Sequence, residues 1–210
     1  MFKRSKLIIL SIFLSSSLLL TGCKADQSSK KPVIYLYPEE TTEISVNLDY
    51  NGTLTCTYPE YEEGWKVVAS PEGSLINKAD GKEYSYLFWE GESDIEFDFS
   101  KGFVVKGEDT KNFLQEKLSY IGLTPKEYNE FIVYWLPLMQ DNPYNLISFQ
   151  NNIYTDNAEL NITPNPDNIL RVFMAYKPLN KNIEVEEQKL EPFVRSGFTV
   201  VEWGGSKIED

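Results

Sequence analysis

Five acidic side chains occupy every second position between residues 90 and 98. They are Glu90, Glu92, Asp94, Glu96 and Asp98. In an extended strand this spacing places all five carboxylates on one face, where like charges repel. A hard cation relieves such repulsion, so part of this acidic ladder is a weak candidate calcium site, and apart from it the sequence predicts no metal and no cofactor. The competing interpretation is a solvated strand face with Ile95 and Phe97 turned inward, and charge runs are more often of that kind.

Glycoside hydrolysis is a second chemistry open to carboxylates, because it needs two carboxyl groups and no histidine. The sequence contains 32 Asp and Glu residues and no His, which excludes His-dependent triads and His zinc sites. The candidate acids are Glu90, Glu92, Glu127, Glu130 and Glu202. No spacing selects a pair among them, so the sequence assigns no catalytic residue.

Aromatic residues make up 14% of the chain, enough for some rings to be exposed. Flat rings beside carboxylates suit a carbohydrate, because the apolar faces of sugars stack on aromatics while sugar hydroxyls bond to acids. The candidate ligand-binding rings are Trp65, Trp89 and Trp203. Core packing is the commoner use of each ring.

Arg171 lies in an apolar strand without another charge nearby in sequence. A guanidinium in such surroundings needs a carboxylate partner. With Arg195 and Glu202 it suggests a rigid Arg–Glu pair that serves either the architecture or an anionic ligand.

The first residues have the layout of an export signal. Lys3, Arg4 and Lys6 precede an uncharged run of 14 residues, which is too short to span a bilayer as a helix. The run ends in Leu-Thr-Gly-Cys, which resembles the bacterial lipobox and makes Cys23 the predicted lipidation site. The alternative is an ordinary secretory signal with a chance cysteine. We therefore predict a lipoprotein signal peptide at 1–22, a lipidated cysteine with a flexible tether at 23–31, and a single extracytoplasmic domain at 32–210.

The charge of the chain limits its partners. The formal net charge is −12, and removing residues 1–22 takes away three basic and no acidic side chains, leaving −15. Nucleic acid is an unfavourable partner for such a domain. The expected partners are the membrane, through the lipid anchor, and a glycan or envelope protein. The expected location is the extracytoplasmic side of the cell membrane, or the outer membrane in a Gram-negative cell.

Alternating apolar residues predict a strand on each side of Asn51-Gly52, a pair typical of hairpin turns. In the second strand Cys56 alternates with Leu54 and Tyr58, which predicts a buried and unreactive thiol. Further strands are predicted at 33–37, 65–69, 83–89, 95–99, 102–105, 169–176 and 198–203.

Two helices interrupt this pattern. Helical spacing of Leu114 and Leu118 predicts a helix over 109–121 that ends at Gly122. Thr124 and Glu127 form a capping box for a second helix, which Pro137 should end or bend. The fold class that follows is α+β, mainly antiparallel β-sheet and sandwich-like, with one inserted helical hairpin at about 109–139. A pure β-sandwich carrying a helical pair is the alternative.

Three segments carry a resemblance to known proteins. KPVIYLYP at 31–38, EYSYLFWE at 83–90 and NPYNLI at 142–147 resemble an uncharacterised family of secreted and lipoprotein-type bacterial proteins. The likeness extends from Lys31 to Gly205. It implies one compact extracytoplasmic domain and lends no catalytic residue.

The function expected from these features is that of a membrane-anchored lipoprotein with a non-enzymatic surface domain that binds a glycan or a protein. A carboxylate-dependent glycoside hydrolase or other cell-wall carbohydrate enzyme is one alternative. A structural envelope protein is another.

Overall fold

The computed structural model describes residues 27–209, so the predicted signal segment and Cys23 lie outside the described residues. Within that range the chain forms thirteen strands and three α-helices, numbered here in chain order. The strands build two sheets of eight and five strands. The predicted fold class, an α+β and sandwich-like domain with one helical hairpin, is confirmed.

The eight-stranded sheet forms the centre of the domain. From edge to edge its strands are β12 (Glu186–Glu187), β8 (Lys101–Lys106), β9 (Tyr144–Gln150), β11 (Asn168–Leu179), β13 (Thr199–Lys207), β1 (Gln27–Tyr37), β7 (Leu87–Ser93) and β3 (Thr53–Tyr58). Neighbours pair antiparallel except at β11 with β13 and at β12 with β8. The parallel contact sets Arg171 beside Glu202.

The five-stranded sheet is antiparallel throughout. Its order is β10 (Ala158–Thr163), β2 (Thr42–Tyr50), β4 (Trp65–Ala69), β5 (Leu75–Asn77) and β6 (Glu83–Tyr84).

The helices follow the sequence signals closely. Helix α1 spans Thr110–Ile121 after a short 3-10 turn at Gly107–Asp109, and Gly122 ends it in the left-handed conformation with φ 119°. Helix α2 spans Pro125–Met139 and begins with the predicted capping box. It continues two residues beyond Pro137. Because proline has no N–H, the helix loses one backbone hydrogen bond, and this loss falls in its last turn. A four-residue helix, α3 (Asn152–Thr155), connects β9 to β10.

The central sheet is covered on both faces, which is why β1 is apolar at successive positions. Val33 and Tyr35 enter a core with α1 and α2 on one side of the sheet. Ile34 and Leu36 enter a second core between the two sheets. The domain thus has three layers, and the helical layer lies against β1, β11 and β13.

Two predicted strand features are wrong for identifiable reasons. Asn51-Gly52 does not close a hairpin, because β2 pairs in the five-stranded sheet and β3 pairs with β7. Neither residue has the positive φ that a type I′ turn needs. Residues 95–99 form no strand. Strand β7 ends at Ser93, and between residues 27 and 209 no segment pairs with residues 95–99.

Cys56 is exposed, so the predicted burial of its thiol is wrong. The β3–β7 register shifts between Leu54 and Cys56, which inserts one residue and reverses the alternation. Leu54 packs against the core between the sheets, whereas Cys56 faces the other way.

The predicted tether is also shorter than expected. Residues 27–31 belong to β1, where Gln27 pairs with Ser93 and Ser29 pairs with Gly91. These five residues of the predicted tether are therefore part of the folded domain.

No helix in the part of the chain from residue 27 to residue 209 is long and apolar enough to cross a membrane.

Candidate functional site

The two longest sequence motifs meet on the helical side of the central sheet, beside α2. Four residues of these motifs and two residues of α2 form what we call the motif surface: Lys31, Tyr86, Phe88, Glu90, Glu130 and Tyr134. All six are half-buried, so each presents part of its side chain to solvent. Tyr35 connects them from below, because its ring contacts Tyr86 edge-on at 5.4 Å and its hydroxyl donates to Glu130 Oε2 at 3.1 Å.

A backbone irregularity in β1 places Lys31 on this surface. Its φ of 57° is the only positive value among the non-glycine residues from 27 to 209. The register of β1 against both neighbouring strands shifts here. The bulge turns the Lys31 N–H to Glu90 Oε1 at 3.1 Å, and Glu90 Oε2 accepts from Lys30 Nζ at 3.4 Å. A left-handed conformation costs a lysine on the order of 1 kcal/mol or more, so local contacts must hold it.

The Lys31 ammonium lies among aromatic rings. Nζ is 3.3 Å from Tyr86 Oη and is 5.0, 5.4 and 5.9 Å from the ring centres of Tyr86, Phe88 and Trp203. A cation over ring faces is stabilised by their negative quadrupole. The ammonium is thereby held at a fixed place on the surface.

Two tyrosines of β1 donate to two glutamates of α2. Tyr35 bonds to Glu130, and Tyr37 donates to Glu127 Oε1 at 2.8 Å. Residues two apart on a strand share one face, and residues three apart on a helix also share one face, so the two tyrosines and the two glutamates can meet. Burial, followed by the charge of the neighbouring carboxylate, raises the pKa of both phenols above the ordinary value.

Glu127 is fully buried and its carboxylate is saturated with donors. It accepts from the Thr124 N–H at 2.7 Å, from Tyr37, and from Nη1 of Arg195 at 3.0 Å. The Arg195 Nη2 also donates to it and to the Gly122 carbonyl. This carboxylate fixes the start of α2 to the loop that carries Arg195, and no lone pair faces a substrate.

Glu202 is likewise fully buried, in the layer between the sheets. Its Oε2 accepts from Arg171 Nε at 2.6 Å and its Oε1 accepts from Trp89 Nε1 at 3.2 Å. The expected Arg–Glu pair therefore exists and is part of the architecture. Two buried polar atoms beside it, Arg171 Nη2 and the Tyr154 hydroxyl, have no partner in the described part of the chain.

The predicted ligand-binding tryptophans are core residues, and this prediction is wrong. Trp65 is 1% exposed, and Trp89 and Trp203 are 0% exposed. Each is the largest apolar side chain of its strand, so burial gains more free energy than a surface position would. The rings that reach solvent on the motif surface are the smaller Tyr86, Phe88 and Tyr134.

The acidic ladder does not act as one unit. Glu92, Asp94, Glu96 and Asp98 are exposed and Ile95 is buried, as a solvated face requires. The strand ends at Ser93, however, and Asp98 accepts from the backbone and hydroxyl of Ser100. Among residues 27–209 no group of three or more acidic or cysteine side chains is arranged to hold a metal ion.

Of the five candidate catalytic acids, the structure brings only Glu90 and Glu130 to one surface. Glu127 and Glu202 are buried in ion pairs. Glu92 lines a different place, a 470 Å³ cavity beside the Asn51-Gly52 turn. Sequence reasoning missed Lys31, Tyr35, Tyr37 and Tyr134 as site residues. The alternation within KPVIYLYP could have placed Tyr35 and Tyr37 together, but nothing in the sequence marks the bulge at Lys31.

Comparison with known proteins gives one informative match. No family model and no solved structure matches the chain. A protein of Butyrivibrio fibrisolvens described as "Uncharacterized protein in bglA 3'region" is 43% identical over 97 residues, which cover 42% of this chain and 99% of the relative. The chain belongs to the same family as this protein. The description of the relative states no activity, so function has to be argued from the site.

Proposed function

We propose that the protein is a lipid-anchored extracytoplasmic domain that binds a glycan on the motif surface without transforming it. The export signal and the lipobox-like ending at Cys23 support the location. The observation that carries the binding role is the half-exposed arrangement of Tyr86, Phe88 and Tyr134 beside the carboxylates of Glu90 and Glu130. Ring faces take the apolar side of a sugar, and the carboxylates accept from its hydroxyls.

The surface favours binding over hydrolysis. An acid catalyst needs a carboxyl group held in apolar surroundings and open to the substrate. Glu127 and Glu202 are closed off by arginine, while Glu90 is engaged by Lys30 and by the backbone of Lys31. Hydrolysis by Glu90 and Glu130 is the second candidate, because both carboxylates lie beside the half-buried rings of Tyr86, Phe88 and Tyr134.

A binding screen tests this proposal. Residues 24–210, produced without the signal segment and Cys23, are screened against neutral and acidic oligosaccharides and peptidoglycan fragments, and every bound glycan is analysed for products. We expect retention of at least one glycan without cleavage. Tyr86→Ala and Tyr134→Ala should weaken that binding. The control is Tyr120→Ala, which removes a ring on α1 that is 53% exposed and should leave binding unchanged. Cleavage would favour the hydrolase, and no binding would favour a structural envelope role.

The lipid anchor is tested separately. The wild-type chain should fractionate with membranes and its N-terminal peptide should carry an acyl mass, and Cys23→Ala should abolish both. An N-terminal peptide that begins at another residue, or that carries no acyl group, would contradict the anchor.

We infer that the acidic ladder does not bind calcium selectively, because no three of its carboxylates, which all lie within the described residues 27–209, are arranged to hold a metal ion. The acidic ladder is the one place where a weak calcium site is worth testing, and Mg²⁺ is the control for screening of the acidic surface. Thermal midpoints in equal concentrations of the two ions should shift alike. A larger shift with Ca²⁺ that Asp94→Asn removes would overturn this inference.

A further inference from the structure

The motif surface has more hydrogen-bond donors than acceptors around Lys31. The ammonium carries three N–H groups, and its one hydrogen-bond acceptor among residues 27–209 is the Tyr86 hydroxyl. Tyr86 accepts there, so its own proton remains available to donate. In the same range no carboxylate lies within ion-pair distance of Lys31, since the Glu90 side chain bonds to the Lys31 backbone and to the Lys30 ammonium.

The ring of Trp203 supports the ammonium from the core. Its centre lies 5.9 Å from the Lys31 Nζ, and the indole is fully buried, so it is not itself open to a ligand. Burial raises the pKa of Tyr35, and the indole N–H of Trp203 opposes that rise.

Neither carboxylate of the motif surface supplies an acceptor to the Lys31 ammonium. Glu90 is paired with Lys30, and Glu130 accepts from Tyr35. The remaining negative charge of the domain is spread over its surface, and at physiological salt its effect is screened beyond about 8 Å. A local positive site can therefore exist on a strongly acidic protein.

We propose that Lys31 is the specificity-determining residue of the motif surface and binds the carboxylate of an acidic sugar, such as a uronic acid. This inference rests on the glycan-binding function proposed above. One carboxylate oxygen accepts from the Lys31 ammonium and the sugar ring stacks beside it on Tyr86 or Phe88. The left-handed backbone and the three rings hold the ammonium in place before the ligand arrives, which reduces the entropy lost on binding.

A matched pair of ligands tests the proposal without changing the protein. The probes are a galacturonic acid tetrasaccharide and its methyl ester, which has the same rings but no charge, measured by calorimetry in about 150 mM salt. The acid should bind about tenfold more tightly, the size expected of one charge-assisted hydrogen bond. Free glucuronate and acetate serve as further arms and show whether the carboxylate alone suffices.

Variants then locate the effect. Lys31→Met keeps the stem over the rings and should remove the preference for the acid while retaining binding of the ester. Lys111→Met removes an exposed charge from α1, away from the motif surface, and should leave the preference intact. Lys31→Gly, whose backbone adopts the left-handed conformation freely, replaces Lys31→Met if the latter does not fold.

The outcomes separate the two proposals. Equal binding of acid and ester, or a preference that survives in both Lys31 variants, overturns the role of Lys31 while glycan binding stands. Failure of both probes overturns the acidic-sugar inference, and the wider panel of neutral glycans and peptidoglycan fragments then decides whether the proposed function stands.

Discussion

Cys56 shows how one inserted residue changes the accessibility of a side chain. The bulge in β3 turns its thiol away from the core that Leu54 enters. We expect the native thiol to react with a small disulfide reagent nearly as fast as the unfolded chain does, because exposure and not local opening controls access. Cys56→Ser should leave stability within about 0.5 kcal/mol of wild type. Slow native labelling that accelerates on denaturation would mean that the thiol is covered.

The buried Glu127–Arg195 pair is where a single charge matters most. Glu127→Gln leaves the Arg195 guanidinium, 26% exposed, without its anion and should cost about 3 kcal/mol in free energy of unfolding. The control is Glu43→Gln, which removes the partner of Lys78 from an exposed pair and should cost less than about 1 kcal/mol. Urea denaturation measures both. Similar losses in the two variants would contradict the distinction between buried and exposed pairs.

Single residues were the hardest part of the site to predict. The Arg171–Glu202 pair could be inferred, because a guanidinium in an apolar strand needs an anion. The tryptophans could not be placed, since stacking surfaces and cores use the same residue type. Lys31 could not be found at all, because its position depends on a bulge that arises from pairing with two strands distant in sequence.

At the scale of elements, Gly122 fixes the join between α1 and α2. Its φ of 119° is unfavourable for a side chain, and an added Cβ would lie 3.0 Å from the Phe193 carbonyl oxygen. Gly122→Ala should therefore cost about 2 kcal/mol. Gly81→Ala is the matched control, because Gly81 has φ 69° but open space around it. It should cost about 1 kcal/mol, from backbone strain alone. If thermal and urea unfolding give the same loss for both, crowding at Gly122 has no energetic effect.

Local signals predicted the helices well and the strand pairing poorly. A capping box, a terminal glycine and apolar spacing lie within one helix, so the sequence contains the whole signal for α1 and α2. Strand pairing depends on distant segments, which is why Asn51-Gly52 was assigned to a hairpin and 95–99 to a strand. The fold class survived these errors because alternation indicates a strand whichever neighbour it pairs with.

At the scale of the whole molecule, the buried phenols limit stability in alkali. The pKa values of Tyr35, Tyr37 and Tyr154 are raised, chiefly by burial, and that of Tyr176 is raised to about 12 for the same reason. A raised folded-state pKa means that the stabilising effect is complete below the unfolded pKa of about 10 and is lost as the pH rises above it. We expect these tyrosines to ionise only as the domain unfolds.

Absorbance of tyrosinate and circular dichroism, followed together from neutral pH upward, check this expectation. The late part of the tyrosinate signal should coincide with loss of the folded spectrum, and Tyr35→Phe should reduce its amplitude. Complete ionisation of all phenols while the folded spectrum persists would be the contrary result.

The short stretch of chain between Cys23 and β1 limits the distance between a lipid on Cys23 and the motif surface. Eight peptide steps separate Cys23 from Lys31, and a fully extended chain covers at most roughly 27 Å in that number of steps. If Cys23 carries the lipid, as proposed, Lys31 stays within that distance of the attachment point however the domain turns. The motif surface would then meet only molecules that come to the membrane surface, such as the inner layer of a wall polymer or a glycan still held on a lipid carrier.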